Sequence, residues 1–200
     1  DLSPDMFGDQ FDHYYRIASG PGGAFEGLTK LREEGVIKAW GLGVNRVEPI
    51  ELTLDLDEAR PDGFLLAGRY SLLDHERALQ RVMPKAAERN TGIVVGGPYS
   101  SGVLAGGSHF EYQKASPEIL AKVERIKAIA AEYGISIKAA ALQFSLANPA
   151  VAAVIPGASR PERIAEDYAA LKEIIPAGFW QALRAQGLVA ANAPLPIDNI

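Results

Sequence analysis

The chain has 200 residues, a formal net charge of −5 and no cysteine, and 48% of its residues are hydrophobic. This composition predicts one globular domain with a sizeable core, and the acidic balance argues against nucleic acid or an anionic membrane as a main partner. The lack of cysteine excludes disulfides and thiolate chemistry. The histidines His13, His75 and His109 lie far apart in the sequence, so no metal site is predicted.

No apolar run reaches about 18 residues, and no signal-peptide pattern occurs. We therefore expect a cytoplasmic protein without a membrane partner. The chain does not begin with methionine, and we expect it to be part of a longer protein.

Helical periodicity alternates with short apolar runs along most of the chain. The periodicity predicts helices at 23–34, 48–59, 74–89, 117–133, 136–147, 161–173 and 177–188. The apolar runs predict strands at 36–44, 63–67, 93–95 and 151–155. Ser116 is expected to cap the helix that follows it, and residues 3–24 are expected to form a loop.

Strands that alternate with helices and are apolar throughout predict a parallel sheet covered by helices. A doubly wound sheet and a (β/α)8 barrel are the two arrangements that fit this pattern. Four strands would leave two open flanks, so we expect further strands before Asp1, with residues 1–4 as the end of one of them. The alternative is that a partner supplies the missing strands. No linker divides the chain, which predicts a single domain over residues 1–200.

The end of the last predicted strand has the pattern of an anion site. Pro156 and Gly157 break the strand, Ser159 is expected to cap the next helix, and Pro161 suits its first turn. Arg163 follows within that helix. Free backbone N–H groups, the positive helix end and the guanidinium would therefore meet on one phosphate. The alternative is a plain strand-to-helix junction with a solvated Arg163.

Two other strand ends carry groups that suit a ligand. The segment 38–45 contains two glycines and ends at Asn45, whose amide both donates and accepts hydrogen bonds; the alternative is a simple turn. The glycine-rich segment 96–107 places the Tyr99 ring at a strand end, where it could stack on a flat ring while the following backbone wraps a pyrophosphate. A mobile surface loop is the alternative there.

These segments resemble the aldo-keto reductase family. The last strand end resembles the family's cofactor-adenosine motif, Ile-Pro-Lys-Ser followed by Arg-Ile-x-Glu-Asn. The matching positions are Ile155, Pro156, Arg163, Ile164 and Glu166. The sequence departs from the motif at Gly157, Ala158 and Asp167. The segment 96–107 resembles the family's Ala-Tyr-Ser-Pro-Leu-Gly-x-Gly-Leu-Leu loop, and the likeness extends over essentially the whole chain.

Within the family, the segments 1–5, 41–45 and 97–104 look like the branch that contains D-threo-aldose 1-dehydrogenases and pyridoxal 4-dehydrogenases. The resemblance implies an α/β fold, the (β/α)8 TIM barrel, of which this chain supplies about the C-terminal half to two thirds. It also implies an NAD(P)-dependent oxidoreductase that transfers a hydride between a nicotinamide cofactor and an aldose or similar hemiacetal or carbonyl. The substrate would be a small sugar or a pyridoxal-like molecule.

The resemblance further implies where the cofactor lies. Tyr99 would lie against the nicotinamide ring, and the segment 100–102 would line the phosphates. The complete set of implied cofactor-binding residues is Asn45, Tyr99, Ser100, Ser101, Gly102, Leu104, Gly157, Arg163, Glu166 and Asp167. Because Gly157 and Ala158 replace the Lys and Ser that grip the 2′-phosphate of NADP in the family, NAD is slightly favoured over NADP.

No catalytic residue is assigned in this chain, because the family's Asp, Tyr, Lys and His would all precede Asp1. Tyr70 is expected to be a packed aromatic residue. Residues 3–24 and the tail after Leu188 would contact the substrate. Two alternatives stay open, namely a non-catalytic nucleotide-binding regulatory or interaction protein on the same scaffold, and another phosphate-binding barrel enzyme. A homo-oligomer is also left open.

Overall fold

The computed structural model describes residues 2–110 and 113–199. The strands of the described part are β1 (Gly41–Val44), β2 (Gly63–Ala67), β3 (Gly92–Gly96), β4 (His109–Phe110), β5 (Gln113–Lys114) and β6 (Val151–Ile155). The α-helices are α1 (Pro4–Phe7), α2 (Phe11–Ser19), α3 (Ala24–Glu33), α4 (Glu48–Leu54), α5 (Glu76–Gln80), α6 (Val82–Glu88), α7 (Pro117–Glu132), α8 (Ile137–Leu146), α9 (Glu162–Lys172) and α10 (Ala177–Ala185).

A parallel sheet in the order β1-β2-β3-β6 forms the centre of the fold. Leu66 on β2 is in register with Val44 on one side and Val95 on the other. These three side chains face the helices, and none is more than 3% exposed. The helices α4, α6 and α8 lie against β1, β3 and β6. The parallel sheet with helical cover that the sequence predicts is therefore confirmed.

The other face of the sheet is open and is made of small residues at its amino end. Gly41, Gly63 and Gly92 lie side by side across β1, β2 and β3, and a Cβ on Gly41 would overlap the carbonyl oxygen of Gly63. Leu65 and Ile155 on this face are 37% and 51% exposed. Within the described part of the chain, β1 and β6 each pair with a single strand. The sheet therefore has one uncovered face and two uncovered edges.

Two serines cap long helices, and the sequence predicts the first of these caps. The Ser116 hydroxyl accepts the backbone N–H of Ile119 at 3.3 Å, and the Ser136 hydroxyl accepts that of Ala139 at 3.4 Å. Each bond satisfies a donor that the first helical turn leaves free. These caps fix the starts of α7 and α8, which carry the chain from β3 back to β6.

The predicted helix 74–89 is instead two helices, α5 and α6. The chain breaks at Arg81, whose φ of −138° and ψ of −45° are not helical. Pro84 explains the break, because proline has no N–H to donate to the carbonyl of Gln80 and its ring would press on that carbonyl. The helix therefore restarts at Val82.

Residues 3–24, predicted as a loop, contain α1 and α2, so that prediction was wrong. Phe11 and Tyr15 lie one turn apart on α2 and pack with Phe25 and Trp40 in a second, smaller apolar cluster. Apolar residues four positions apart are the periodicity of a helix, and this pair was the signal that the sequence interpretation passed over.

Three other boundaries differ from prediction. The segment 1–4 is not the end of a strand, since α1 begins at its last residue; Asp1 itself lies outside the described residues. The predicted strand 36–44 is confined to β1, and the predicted helix 48–59 ends at Leu54. Acidic residues follow Leu54 closely, and negative charge at a helix C-terminus opposes the helix dipole.

Two segments lie outside the alternation of strands and helices. β4 and β5 pair antiparallel as a short hairpin, which the sequence interpretation did not predict. The tail was expected to contact substrate, and it packs Leu188, Val189 and Leu195 into the core. No helix among the described residues combines the length and the apolar character needed to cross a membrane.

Candidate functional site

A cavity of about 740 Å³ lies at the carboxyl ends of the four parallel strands. Asn45 follows β1, Gly68 follows β2, Gly97 follows β3 and Gly157 follows β6, and all four residues line it. Parallel strands direct their carboxyl ends to one edge of the sheet, which is where the loops of α/β proteins bind ligands. The position of this cavity follows from the topology, and its chemistry depends on the loops.

The loop after β1 contributes Asn45 to the cavity wall. The Asn45 carbonyl accepts a hydrogen bond from Arg69 Nε at 2.9 Å. Its side-chain Oδ1 is buried and has no hydrogen-bond partner among the described residues. Because a buried acceptor without a partner is costly, Asn45 suits a ligand that brings an N–H or O–H donor.

Arginines surround the same edge of the cavity. Arg46 follows Asn45 directly, lines the cavity, and is held by Asp5 at 2.7 Å. Arg69 is paired with Asp74 at 3.0 Å. Asp5 also lines the cavity, so the carboxylates that hold these guanidiniums balance their charge. The sequence interpretation missed both arginines, although Arg46 stands immediately after a residue that it did select.

Tyr99 on the loop after β3 is fixed by polar contacts rather than by packing alone. Its hydroxyl donates to Asp167 Oδ1 at 2.6 Å, and the residue is 6% exposed. Lys138 Nζ lies 2.6 Å from the same Oδ1. Burial, followed by the nearby Asp167 carboxylate, raises the pKa of the Tyr99 phenol well above its ordinary value. The phenol is therefore neutral and keeps its proton.

The loop that follows Tyr99 turns through left-handed backbone. Ser100, Ser101 and Gly102 have φ angles of 50°, 56° and 97°, a region that residues other than glycine seldom adopt. The backbone N–H groups of Ser100 and Gly102 donate to the carbonyls of Gly97 and Tyr99. These two amides are therefore used inside the loop and are not free to wrap a pyrophosphate.

The Ser100 hydroxyl is also used internally. It shares a 2.8 Å hydrogen bond with the Ser71 hydroxyl, and both residues are buried. Ser101 is exposed at the cavity wall.

A smaller cavity of about 110 Å³ adjoins the first one, where the loop after β6 meets α8 and α9. Tyr99, Gly157 and Arg163 line both cavities. The Arg163 side chain makes no hydrogen bond or ion pair with another residue of the described chain. A ligand that extends from the first cavity into the second would pass this guanidinium.

Glu166 forms the exposed rim of the smaller cavity. It accepts from Lys138 at 3.2 Å and from Arg160 at 3.1 Å. The hydrogen bond from Lys138 is the main reason why the pKa of Glu166 lies below its ordinary value. Glu166 therefore stays ionised and balances two of the cations around it.

The start of α9 differs from prediction. The helix begins at Glu162 with Pro161 before it, and no side chain caps it, so the predicted Ser159 cap was wrong. The N–H groups of Arg163 and Ile164 donate to the carbonyls of Arg160 and Pro161. Those amides are satisfied, so an anion here would be held mainly by side chains.

The structure brings most of the predicted cofactor residues together. Asn45, Tyr99, the segment 100–102, Gly157 and Arg163 line the main cavity. Glu166 and Asp167 line the smaller one. Leu104 is fully buried in the core and lines neither cavity, so its contact with a cofactor stays a prediction.

Other residues weighed at the sequence level lie away from this site. Tyr70 is fully buried, stacks on Phe144 and accepts a hydrogen bond from Asn148 at 3.0 Å. Burial raises the pKa of Tyr70 to about 12. The expectation of a packed aromatic is therefore confirmed. Across the described residues, no three His, Asp or Glu side chains group as metal ligands would.

Three groups at the site had no signal that we recognised in the sequence. Phe110 and Gln113 from the hairpin line the main cavity. Lys138 reaches the smaller cavity from α8. A lysine on the first turn of an amphipathic helix ordinarily indicates a solvated side chain, so only the packing of α8 against α9 identifies it.

Comparison with known proteins shows which family this sequence matches. Residues 15–186 match the sequence profile of the Aldo/keto reductase family. The chain is 40% identical over 173 residues to a pyridoxal 4-dehydrogenase of Microbacterium luteolum, covering 84% of this chain and 50% of that protein. It is 38% identical over 173 residues to a D-threo-aldose 1-dehydrogenase of Pseudomonas sp, covering 83% and 51%. The chain thus spans about half the length of these relatives.

A solved structure has the same fold. The apo form of an aldo-keto reductase from Bacillus halodurans superposes with a TM-score of 0.64 at 23% identity. The match covers 84% of this chain and 57% of that one. At this level of identity the likeness concerns the arrangement of the strands and helices.

Proposed function

Because this chain belongs to the aldo/keto reductase family, we propose that the protein containing it is an NAD(P)-dependent oxidoreductase. It transfers a hydride between the nicotinamide cofactor and an aldose or similar hemiacetal or carbonyl. The observation that carries the proposal is the cavity at the strand ends, where Asn45, Tyr99 and Arg163 converge from three different loops.

The residues present fit a nicotinamide dinucleotide. The buried, unpartnered Oδ1 of Asn45 suits the N–H group of a carboxamide. The Tyr99 ring offers an aromatic surface at the same cavity. Arg163 lies where the main and smaller cavities meet, which suits the phosphate and adenosine end of an extended cofactor.

In the proposed mechanism, the residues of this chain bind and orient the cofactor. When bound, the nicotinamide supplies or accepts the hydride. Tyr99 does not serve as the acid or base, because Asp167 holds its proton and its pKa is raised by burial. Asn45 orients the nicotinamide ring by its carboxamide, and Arg163 anchors the opposite end. The proton-transfer group belongs to another part of the protein.

The fold of the whole protein is part of the same proposal. The sheet has unpaired edges at β1 and β6 and an open face of small residues among the described elements. An eight-stranded barrel would pair both edges and fill that face with side chains from the remaining strands. This chain would then supply about the C-terminal half to two thirds of the (β/α)8 barrel, as one domain.

For the cofactor, we propose a slight preference for NAD. Gly157 and Ala158 offer no side-chain donor at the smaller cavity, and Lys138 and Arg160 are already paired with the carboxylates of Glu166 and Asp167. The Arg163 guanidinium would favour the 2′-phosphate of NADP and therefore opposes this preference.

The substrate belongs to the sugars or pyridoxal-like molecules on which the named relatives act. A cytoplasmic location completes the proposal, and cell fractionation tests it.

The experiment is a titration of the intact gene product with NADH and with NADPH, followed by nicotinamide fluorescence. L-Fucose or pyridoxal is then added with the oxidised cofactor, and light scattering of the same sample gives the oligomeric state. Binding followed by turnover supports the proposal. Binding without turnover on a broad substrate panel would favour a non-catalytic nucleotide-binding regulatory protein, and failure to bind either cofactor would contradict the proposal.

A further inference from the structure

Tyr99 is held by a carboxylate that comes from a distant part of the chain. The phenol donates to Asp167 Oδ1 at 2.6 Å, across 68 positions of sequence. Asp167 lies on α9, and its side chain is 10% exposed. Tyr99 lines both cavities. Its orientation is therefore tied to α9 and not to the loop alone.

The carboxylate is in turn held by a cation from α8. Lys138 Nζ lies 2.6 Å from Asp167 Oδ1, and the Lys138 side chain is 18% exposed. The same ammonium group lies 5.4 Å from the centroid of the Tyr99 ring. Charge-assisted bonds between poorly solvated groups are strong and directional. Three separate elements, the Tyr99 loop, α8 and α9, therefore meet at one oxygen atom.

The loop needs such an anchor. Directly after Tyr99, Ser100 and Ser101 adopt left-handed backbone that costs energy for a residue with a side chain. Such a conformation persists only when its surroundings hold it. The hydrogen bond from Tyr99 to Asp167 is a tertiary contact at the start of this strained stretch.

We propose that Asp167 and Lys138 are positioning residues for Tyr99. Asp167 fixes the phenol, and Lys138 fixes Asp167, so that the ring keeps its face toward the main cavity where a nicotinamide would stack. This inference rests on the proposed function, since it assumes that a nicotinamide cofactor occupies that cavity. It gives Asp167 a role through Tyr99 in place of a direct contact with the adenosine.

The test compares two ligands on the intact gene product. NADH contains the nicotinamide, and ADP-ribose is the same dinucleotide framework without it. Tyr99→Phe keeps the ring and removes the hydrogen bond, while the pair between Lys138 and Asp167 stays intact. We expect the Kd for NADH to rise by about fivefold to twentyfold, while the Kd for ADP-ribose changes by less than about twofold.

Tyr168→Phe is the matched control. Tyr168 lies on α9 and is 61% exposed, so this loss of a phenol should leave both dissociation constants unchanged. Thermal melting of each variant shows whether it is folded. Lys138→Met should raise the Kd for NADH selectively, as Tyr99→Phe does, and Lys138→Arg should restore most of the loss because it returns a cation.

The outcomes separate this inference from the proposed function. If the wild-type protein binds neither NADH nor ADP-ribose, the proposed function fails. If the wild-type protein binds both but Tyr99→Phe binds NADH normally, the hydrogen bond does not position the ring. Equal weakening of both ligands in Tyr99→Phe or Lys138→Met would mean that these groups act at the adenosine end, and the positioning role would be rejected.

Discussion

At the scale of single residues, Arg163 carries a guanidinium that reaches both cavities and makes no ion pair with the described part of the chain. If it meets the 2′-phosphate of NADP, Arg163→Ala should weaken NADPH binding about tenfold more than NADH binding. Fluorescence titration of the intact gene product measures both constants.

The control for this prediction is Lys172→Ala. Lys172 stands at the far end of the same helix, where its ammonium lies over the Tyr168 ring at 4.1 Å. Its removal should change neither constant. An equal loss of NADH and NADPH binding in Arg163→Ala would place the guanidinium on another part of the cofactor.

His75 makes the stability of the fold depend on pH. The buried ring donates from Nδ1 to the Ser71 carbonyl at 2.8 Å and accepts the Ala190 N–H on Nε2 at 3.0 Å. Only the neutral ring can do both. Burial lowers the pKa of His75 below its ordinary value of 6.5, against the raising effect of the hydrogen bond to the Ser71 carbonyl.

A lowered pKa means that the unfolded chain binds the proton first, so the free energy of unfolding falls as pH drops below 6.5 toward the folded-state pKa. Urea denaturation at about pH 5 and about pH 8 measures this fall. His75→Gln should flatten the slope between the two. An unchanged slope in the variant would assign the pH dependence to the carboxylates.

The contacts between individual side chains were the part of the site that was hardest to predict from the sequence. Asn45 and Tyr99 stand at strand ends beside glycines, and that local pattern was sufficient to select them. The bond from Tyr99 to Asp167 joins residues 68 positions apart, and no local pattern encodes it. Asp167 was selected only through a motif, whose residue at that position differs from the one found here.

At the scale of the elements, the close approach of β1 and β2 depends on glycine. A Cβ on Gly41 would overlap the Gly63 carbonyl oxygen, and that backbone cannot move without parting the strands. Gly41→Ala should therefore lower the free energy of unfolding by about 1–3 kcal/mol. Urea denaturation of the intact gene product measures the change.

Gly27→Ala is the comparison, because it should change the free energy of unfolding in the opposite direction. Gly27 lies inside α3, and a Cβ there would meet nothing within 4 Å. Alanine in a helix interior is favoured over glycine by about 1 kcal/mol, so this variant should be more stable. Destabilisation by both variants would show that the β1–β2 approach is not the specific cause.

Elements were predictable where one local rule dominated. The apolar runs of β2, β3 and β6 and the serine cap of α7 follow from composition and spacing. The prediction failed at 74–89, where the apolar periodicity outweighed Pro84 in our interpretation. It failed again at α2, because the aromatic pair in a polar segment was taken as part of a loop.

At the scale of the whole molecule, apolar side chains are exposed on helices that precede β1 and follow β6 in the chain. Ile164, Tyr168 and Leu171 form an exposed stripe on α9, and Met6 and Ile17 are exposed on α1 and α2. Under the proposed barrel, the remaining strands and helices of the protein would cover these faces. The isolated 200-residue chain should therefore bind a dye such as ANS more strongly than the intact gene product does.

Dye fluorescence at matched concentration, with light scattering to detect association, measures this difference. A chain that stays monomeric and binds no more dye than the intact protein would contradict the proposed closure.

The parallel order of the strands could be predicted from their uniform apolar character. Closure could not, because within the described part of the chain no strand pairs with the outer edge of β1 or of β6.

The pairing of β3 with β6 has a consequence for the order of folding. The hairpin, α7 and α8 all lie between these strands, so their pairing is non-local and should come later than that of β1, β2 and β3. Gly157 and Arg163 follow β6 and form one wall of the cavity. While a ribosome still holds that segment, the nascent chain lacks this wall, so the cavity at the strand ends is completed only after β6 has been released and has paired with β3.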